Sequence, residues 1–97
     1  MNDEALKFLG LLYLGKNLSI GDNARFDIKK HKSKLVLIAN DLNENVQKEI
    51  INLCLLNKIN ILRFKTKLEL GNALGKSSVA IISLNDEKSA KVFLSKI

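Results

Sequence analysis

No proline interrupts the 97-residue chain, and no Gly/Ser-rich linker or low-complexity tract divides it. The expectation is therefore one domain over residues 1–97, long enough to fold around its own core without metal or disulfide staples. The single cysteine, Cys54, excludes an internal disulfide and a cysteine metal cluster, and a lone thiol suits a reducing cytoplasm. The longest apolar run near the start, "FLGLLYL" (Phe8–Leu14), is too short to cross a bilayer. Asp3 and Glu4 before it carry the wrong sign for a secretory signal, so the expected setting is cytoplasmic with no membrane contact. Aromatic residues make up only 5% of the chain, and Phe26 is the only one in the basic region from Lys16 to Lys34. Recognition of unstructured single strands by stacked bases is poorly supported on that count.

What is present is a packed, basic sequence. The hydrophobic fraction is 46% and the charged fraction 27%, too apolar for a disordered chain. The formal net charge of +6 favours an anionic partner such as nucleic acid.

Helical and extended patterns alternate from end to end. "DEALKFLGLLYLGK" opens with acids suited to a helix N-terminus and sets Leu6, Leu9 and Tyr13 on one stripe, with Gly15 and Lys16 closing it. "NLSI" reads as a short extended piece, and Gly21 breaks it into a second helix over residues 22–30 with Ala24 and Ile28 one turn apart. "KLVLIAND" is an aliphatic run without alternation, the pattern of a strand covered on both faces. "NENVQKEIINLCLLNK" places Val46, Ile50, Leu53, Cys54 and Asn57 at helical spacing behind Asn43, a natural N-cap. "INILRF" reads as a strand, and Thr66 and Glu69 in "TKLE" make a capping box that opens a short helix. Gly75 suits a left-handed C-cap, "SVAIIS" gives a second buried strand, and "NDEKSAKVFLSKI" a last amphipathic helix. This order predicts an α/β fold, a three-layer α/β/α sandwich with a central mixed four-stranded sheet.

Catalytic motifs find little support. "GNALGKS" (Gly71–Ser77) imitates a phosphate-binding loop but has three residues between its glycines where four are needed, and it ends a helix and feeds a strand instead of the reverse. His31, the only histidine, sits in a lysine-rich turn, which reads as a solvated position without metal or triad partners. Cys54 lies on an apolar helical stripe and reads as a small buried hydrophobe. No paired-carboxylate motif stands out, so the expectation is a non-enzyme with no cofactor.

Basic residues carry more. Lys16, Arg25, Lys29, Lys30, Lys32 and Lys34 fall between the first helix and the first long strand, and Lys76 precedes the last long strand. If these connections converge at one edge of the sheet they form a positive rim suited to a folded RNA read by its backbone and base edges.

The stretch from "LVLIAND" through "ELG" to "GKSSVAIIS", preceded by "FLGLLYLGKNLSIG", resembles the kink-turn RNA-binding ribosomal protein family named for the L-seven-Ae and L-thirty-e proteins. Its motif spacing is closest to the short bacterial YlxQ-like branch. The resemblance covers nearly the whole chain and implies an α/β/α sandwich and a cytoplasmic, non-enzymatic protein bound to structured RNA, a kink-turn or ribosomal RNA. Ribosomal or translation proteins would be neighbours, and the chain would act as a monomer. In the family RNA is held by the start of the second helix, with the pattern G-x-N-E-x-x-K, and by the loop before the last strand. Gly21 and Asn23 match that pattern, whereas Ala24 and Asp27 stand where it has Glu and Lys, leaving Arg25 as the cation able to stand in for the missing lysine. The RNA-binding set implied is Lys16, Gly21, Asp22, Asn23, Arg25, Lys29, Asn40, Gly75, Lys76 and Ser77. The competing reading is a protein-interaction adaptor on the same fold with weakened RNA binding.

Overall fold

The aliphatic run after the lysine-rich turn forms the centre of the molecule. In the computed structural model, which describes residues 4–97, the elements follow one another as α1 (Glu4–Leu14), β1 (Leu18–Ile20), α2 (Gly21–Lys29), β2 (Leu35–Ile38), α3 (Glu44–Leu56), β3 (Ile61–Arg63), α4 (Lys67–Leu74), β4 (Ile81–Leu84) and α5 (Glu87–Ser95). The strands form one four-stranded sheet in the order β1-β4-β2-β3. β2 runs parallel to β3, while β4 is antiparallel to both β1 and β2. The sheet is thus mixed as expected, with parallel pairing confined to one edge.

Because side chains alternate along a strand, β2 feeds two cores at once. Leu35, Leu37 and Ala39 pack with Leu9 and Leu12 of α1, Leu70 and Leu74 of α4 and Phe93 of α5. Val36 and Ile38 pack with Ala24 and Ile28 of α2 and with Ile50 and Cys54 of α3. All four residues of β2 are buried, each such aliphatic side chain contributing about 1.5–3 kcal/mol by leaving water. The result is the three-layer α/β/α sandwich.

Local signals in the sequence are realised where they are self-contained. The Asn43 side chain accepts from the backbone of Asn45 and Val46 and caps α3. Thr66 and Glu69 form the reciprocal capping box at α4, and Gly75 closes that helix at φ 73°. The first helix departs in detail. Its buried residues are Ala5, Leu9 and Leu12, while Leu6 and Tyr13 are only half-buried at the margin of the core. The reason is that α1 is wedged against a second helix, not only against the sheet: a Cβ on Gly10 would stand 2.8 Å from the carbonyl oxygen of Ala73 in α4. Asp3, expected in the first turn of this helix, lies outside the described residues.

Candidate nucleic-acid interface

Strand register decides which connections share an end of the sheet. Ile20 of β1 pairs with Ile82 of β4, and Ile38 of β2 pairs with Ile81. Ala39 donates its backbone amide to the carbonyl of Ala80 at 2.9 Å, and Asn40 to that of Lys65 at 2.7 Å. One rim therefore carries, in spatial order, the start of α2 at Gly21, the approach to β4, the turn after β2 at Asn40, and the turn after β3 at Lys65.

The start of α2 is unusual among its neighbours. Asn43, Thr66 and Asp86 cap α3, α4 and α5 with side-chain acceptors, whereas the residue before α2 is Ile20, which offers none. Gly21 takes φ 58° there, a left-handed conformation that costs glycine little. Asp22 and Asn23 follow, both exposed. The first-turn amides of α2 thus lack a side-chain acceptor while the helix dipole places partial positive charge at them, which is the arrangement that receives a phosphate or a base-edge acceptor.

Two further connections flank this helix start. The turn bearing the exposed Asn40 is held from below by the buried amide of Gln47, whose Nε2 donates to the carbonyl of Leu42 at 2.7 Å and to that of Asn40 at 3.4 Å. On the approach to β4, Gly75, Lys76 and Ser77 are exposed. The Lys76 backbone donates to the Gly71 carbonyl at 2.8 Å, and its ammonium stands 5.6 Å from the centre of the Tyr13 ring. The loop folds so closely onto α4 that a Cβ on Gly71 would meet the Cα of Ser78 at 2.7 Å. "GNALGKS" thus ends a helix and returns along it to a strand, the reverse of the order in the loop it imitates.

Strand register places Gly21, Asp22, Asn23 and Asn40 at this end, whereas Gly75, Lys76 and Ser77 lie on the connection leading from α4 to β4, with Lys76 reaching Tyr13 near the end of α1, and the others are separated from the rim. Lys16 precedes β1 and Lys29 ends α2, and the strands they lead into, β1 and β2, both start opposite Leu84 at the far end of the sheet. The single positive rim expected from the lysine-rich segment is therefore split, because α2 carries the chain from one end of the sheet to the other. Arg25 is also committed elsewhere: its Nη1 pairs with Glu49 Oε2 of α3 at 2.7 Å, so it does not simply replace the missing lysine. Asp27 turns away from the rim and accepts from Ser19 Oγ at 2.6 Å and Asn85 Nδ2 at 2.9 Å.

Three cations on this rim escaped the sequence reading. Arg63 ends β3 and donates from Nε to Gln47 Oε1 at 2.9 Å, and Lys65 and Lys67 surround the Thr66 cap. Their only signal in the sequence is position beside a capping box, and it takes the β2–β3 pairing to bring them next to Asn40. Among the described residues no group of His, Cys, Asp and Glu is placed to hold a metal. Burial pushes the Cys54 thiol up to about 11, which keeps it protonated and unreactive. Among the described residues, no helix is long and apolar enough to cross a membrane.

Comparison with known proteins places the chain. No curated protein sequence matches it significantly. A solved structure described as a protein with unknown function from Bacillus halodurans C is similar in fold, with a TM-score of 0.90 over 97% of this chain and 96% of that one at 20% identity. The model of the Ribosomal protein L7Ae/L30e/S12e/Gadd45 family matches residues 16–93, a span that takes in the whole sheet, α2 and both flanking connections. The chain belongs to that family.

Proposed function

We propose that the chain is a cytoplasmic, non-enzymatic RNA-binding protein that recognises a kink-turn or a related structured RNA and works in ribosome assembly or translation. Membership of a family whose proteins are in general RNA-binding and often ribosomal supports RNA as the ligand. The observation that carries the reading is the start of α2, where Ile20 provides no cap, Gly21 lies at φ 58° and Asn23 is exposed. Amides there donate to phosphate or base-edge oxygens at the positive end of the helix dipole, the Asn23 carboxamide both donates to and accepts from a base edge, and Lys76 supplies a phosphate contact.

The test is a titration of a kink-turn RNA against an unbroken duplex of equal length at several salt concentrations. Tighter binding of the kinked RNA is expected, with affinity falling as salt rises. Asn23→Ala combined with Lys76→Ala is expected to reduce the preference for the kinked RNA. Equal, weak binding of both RNAs would sink the specific recognition, and an unchanged preference in the double variant would sink the site.

The adaptor reading has its own observation in exposed leucines, with Leu14 80% and Leu56 81% accessible. A partner protein retained after nuclease treatment is the result that favours it, and loss of all partners under nuclease counts against it.

A further inference from the structure

The positive charge of this protein is concentrated at the end of the sheet opposite the proposed RNA-reading rim. Lys16, Lys29, Lys30, Lys32, Lys34 and Lys58 all lie on the connections that lead into β1, β2 and β3 at that end, and all are exposed. Among the described residues none of them is held in an ion pair. The carboxylates of the same end are already engaged. Asp27 accepts from Ser19 and Asn85, Asp86 accepts from the amide and hydroxyl of Ser89 at 3.0 and 2.8 Å, and Glu87 faces Lys91 at 3.7 Å. At the reading rim the signs alternate instead, with Asp22, Asp41, Glu44 and Glu69 interspersed among Arg63, Lys65, Lys67 and Lys76.

Some of this lysine excess serves the helices. Lys16, Lys29 with Lys30, and Lys58 stand at or just beyond the C-termini of α1, α2 and α3, where a cation complements the negative end of the dipole. Lys32 and Lys34 follow no helix end so closely and have no such role. Lys16, His31 and Lys58, in the three connections entering the sheet at this end, take φ 59°, 61° and 58°, and Lys65 at the reading rim takes φ 59° as well. Glycine or asparagine would occupy that left-handed region with less steric cost. Left-handed basic residues thus occur at both ends, and what sets this end apart is its cluster of exposed lysines without ion-pair partners among the described residues.

We propose that this basic end is a second nucleic-acid contact, which binds the phosphate backbone of an RNA helix flanking the motif read at the other rim. This rests on the RNA reading above. The charges sit on three separate turns around one end of a molecule 33 × 28 × 21 Å in extent, and a duplex presents a dense row of phosphate charges along each strand. Lysines offer point charges without the planar fork that reads a base, so this contact adds affinity and salt dependence without sequence preference. Leu14 and Leu56 are also exposed and close their helices at this end, which makes an anionic membrane surface the alternative that the test must exclude.

The test compares the full chain with the Lys30→Gln, Lys32→Gln, Lys34→Gln variant, with far-ultraviolet circular dichroism confirming that both are folded. The expected result is a loss of about tenfold or more in affinity for kinked RNA and plain duplex alike at physiological salt. The slope of log affinity against log salt becomes shallower by about 2–3, while the ratio between the two RNAs stays the same. An unchanged affinity and slope overturns the proposal while leaving the rim reading intact. A changed ratio also overturns it, because the lysines would then belong to the specific site. Failure of the rim reading looks different: the wild-type chain binds both RNAs equally, and the triple variant still weakens both. Sedimentation with vesicles of phosphatidylserine and phosphatidylcholine provides the last arm. Lysine-dependent binding to them that exceeds duplex RNA binding overturns the RNA assignment.

Discussion

Asp27 and Asn85 are joined by a 2.9 Å hydrogen bond from the Asn85 side-chain amide to the Asp27 carboxylate. Ser19 donates to the same carboxylate oxygen at 2.6 Å, and Ser83 donates to Asn85 Oδ1 at 2.5 Å. Helix α2 is thereby tied to β1 and to the connection between β4 and α5 by a polar network at the margin of the core. The carboxylate that stands where the family has a lysine is a structural clasp, and its charge is directed away from the rim proposed to read RNA.

Removing the clasp lowers stability. Asp27→Ala strands part-buried donors on Ser19 and Asn85 and is expected to cost about 1–3 kcal/mol in urea denaturation. Asp27→Lys, which restores the family residue, is expected to destabilise at least as much and to leave RNA affinity no higher. A lysine variant with wild-type stability and tighter RNA binding would show that this position faces the ligand.

Gly71 holds the loop that carries Lys76. An alanine Cβ there would lie 2.7 Å from Ser78 Cα and 2.8 Å from Ser78 N, backbone atoms that yield only if the loop shifts. Gly71→Ala is expected to cost about 1–3 kcal/mol through overpacking and to weaken RNA binding in the same direction as Lys76→Ala. Thermal unfolding and RNA titration of the same preparation check the two effects together.

The Arg25–Glu49 pair bridges α2 and α3 at 2.7 Å with side chains 30% and 54% exposed. Solvent screening limits such a pair to under about 1 kcal/mol, so Arg25→Ala is expected to change stability little. Because the guanidinium is already neutralised, its loss is also expected to reduce RNA affinity less than Lys76→Ala does. A larger loss from Arg25→Ala would mean that RNA displaces Glu49.

Cys54 is fully buried, and its thiol is raised to about 11 by desolvation. The folded state keeps the proton that the unfolded state releases between roughly pH 9 and 11. Stability contributed by the neutral thiol is therefore complete below that window and is lost as pH rises through it. The measured fall in unfolding free energy across this range is expected to be smaller in Cys54→Ala. At pH 8 the native thiol is expected to react with a maleimide only as fast as the protein unfolds.

The order of helices and strands, the caps at Asn43, Thr66 and Gly75, and the double burial of β2 are legible from the residues alone. Each depends on contacts within a few positions or on the pattern of apolar residues along one element, and that information is local. The stripe of α1 is legible only in part, since nothing in "FLGLLYL" announces that Gly10 will press against Ala73. The candidate site is likewise half legible. Gly21 and Asn23 stand out through the family pattern, while Arg63, Lys65 and Lys67 become neighbours of Asn40 only through the parallel pairing of β2 with β3.

Sequence alone was sufficient for the α/β/α sandwich, for the net positive charge and for the absence of a recognisable catalytic motif, because composition and periodicity constrain those properties directly. It did not contain the distribution of that charge. Lys16 through Lys34 form one basic stretch along the chain, but α2 crosses the sheet within it, so its uncapped start and its lysine-rich end lie at opposite ends of the fold. The direction of Asp27, the pairing of Arg25 with Glu49 and the separation of two basic surfaces all depend on residues far apart in sequence. Packing the layers brings those residues into contact, and only the tertiary structure could decide them.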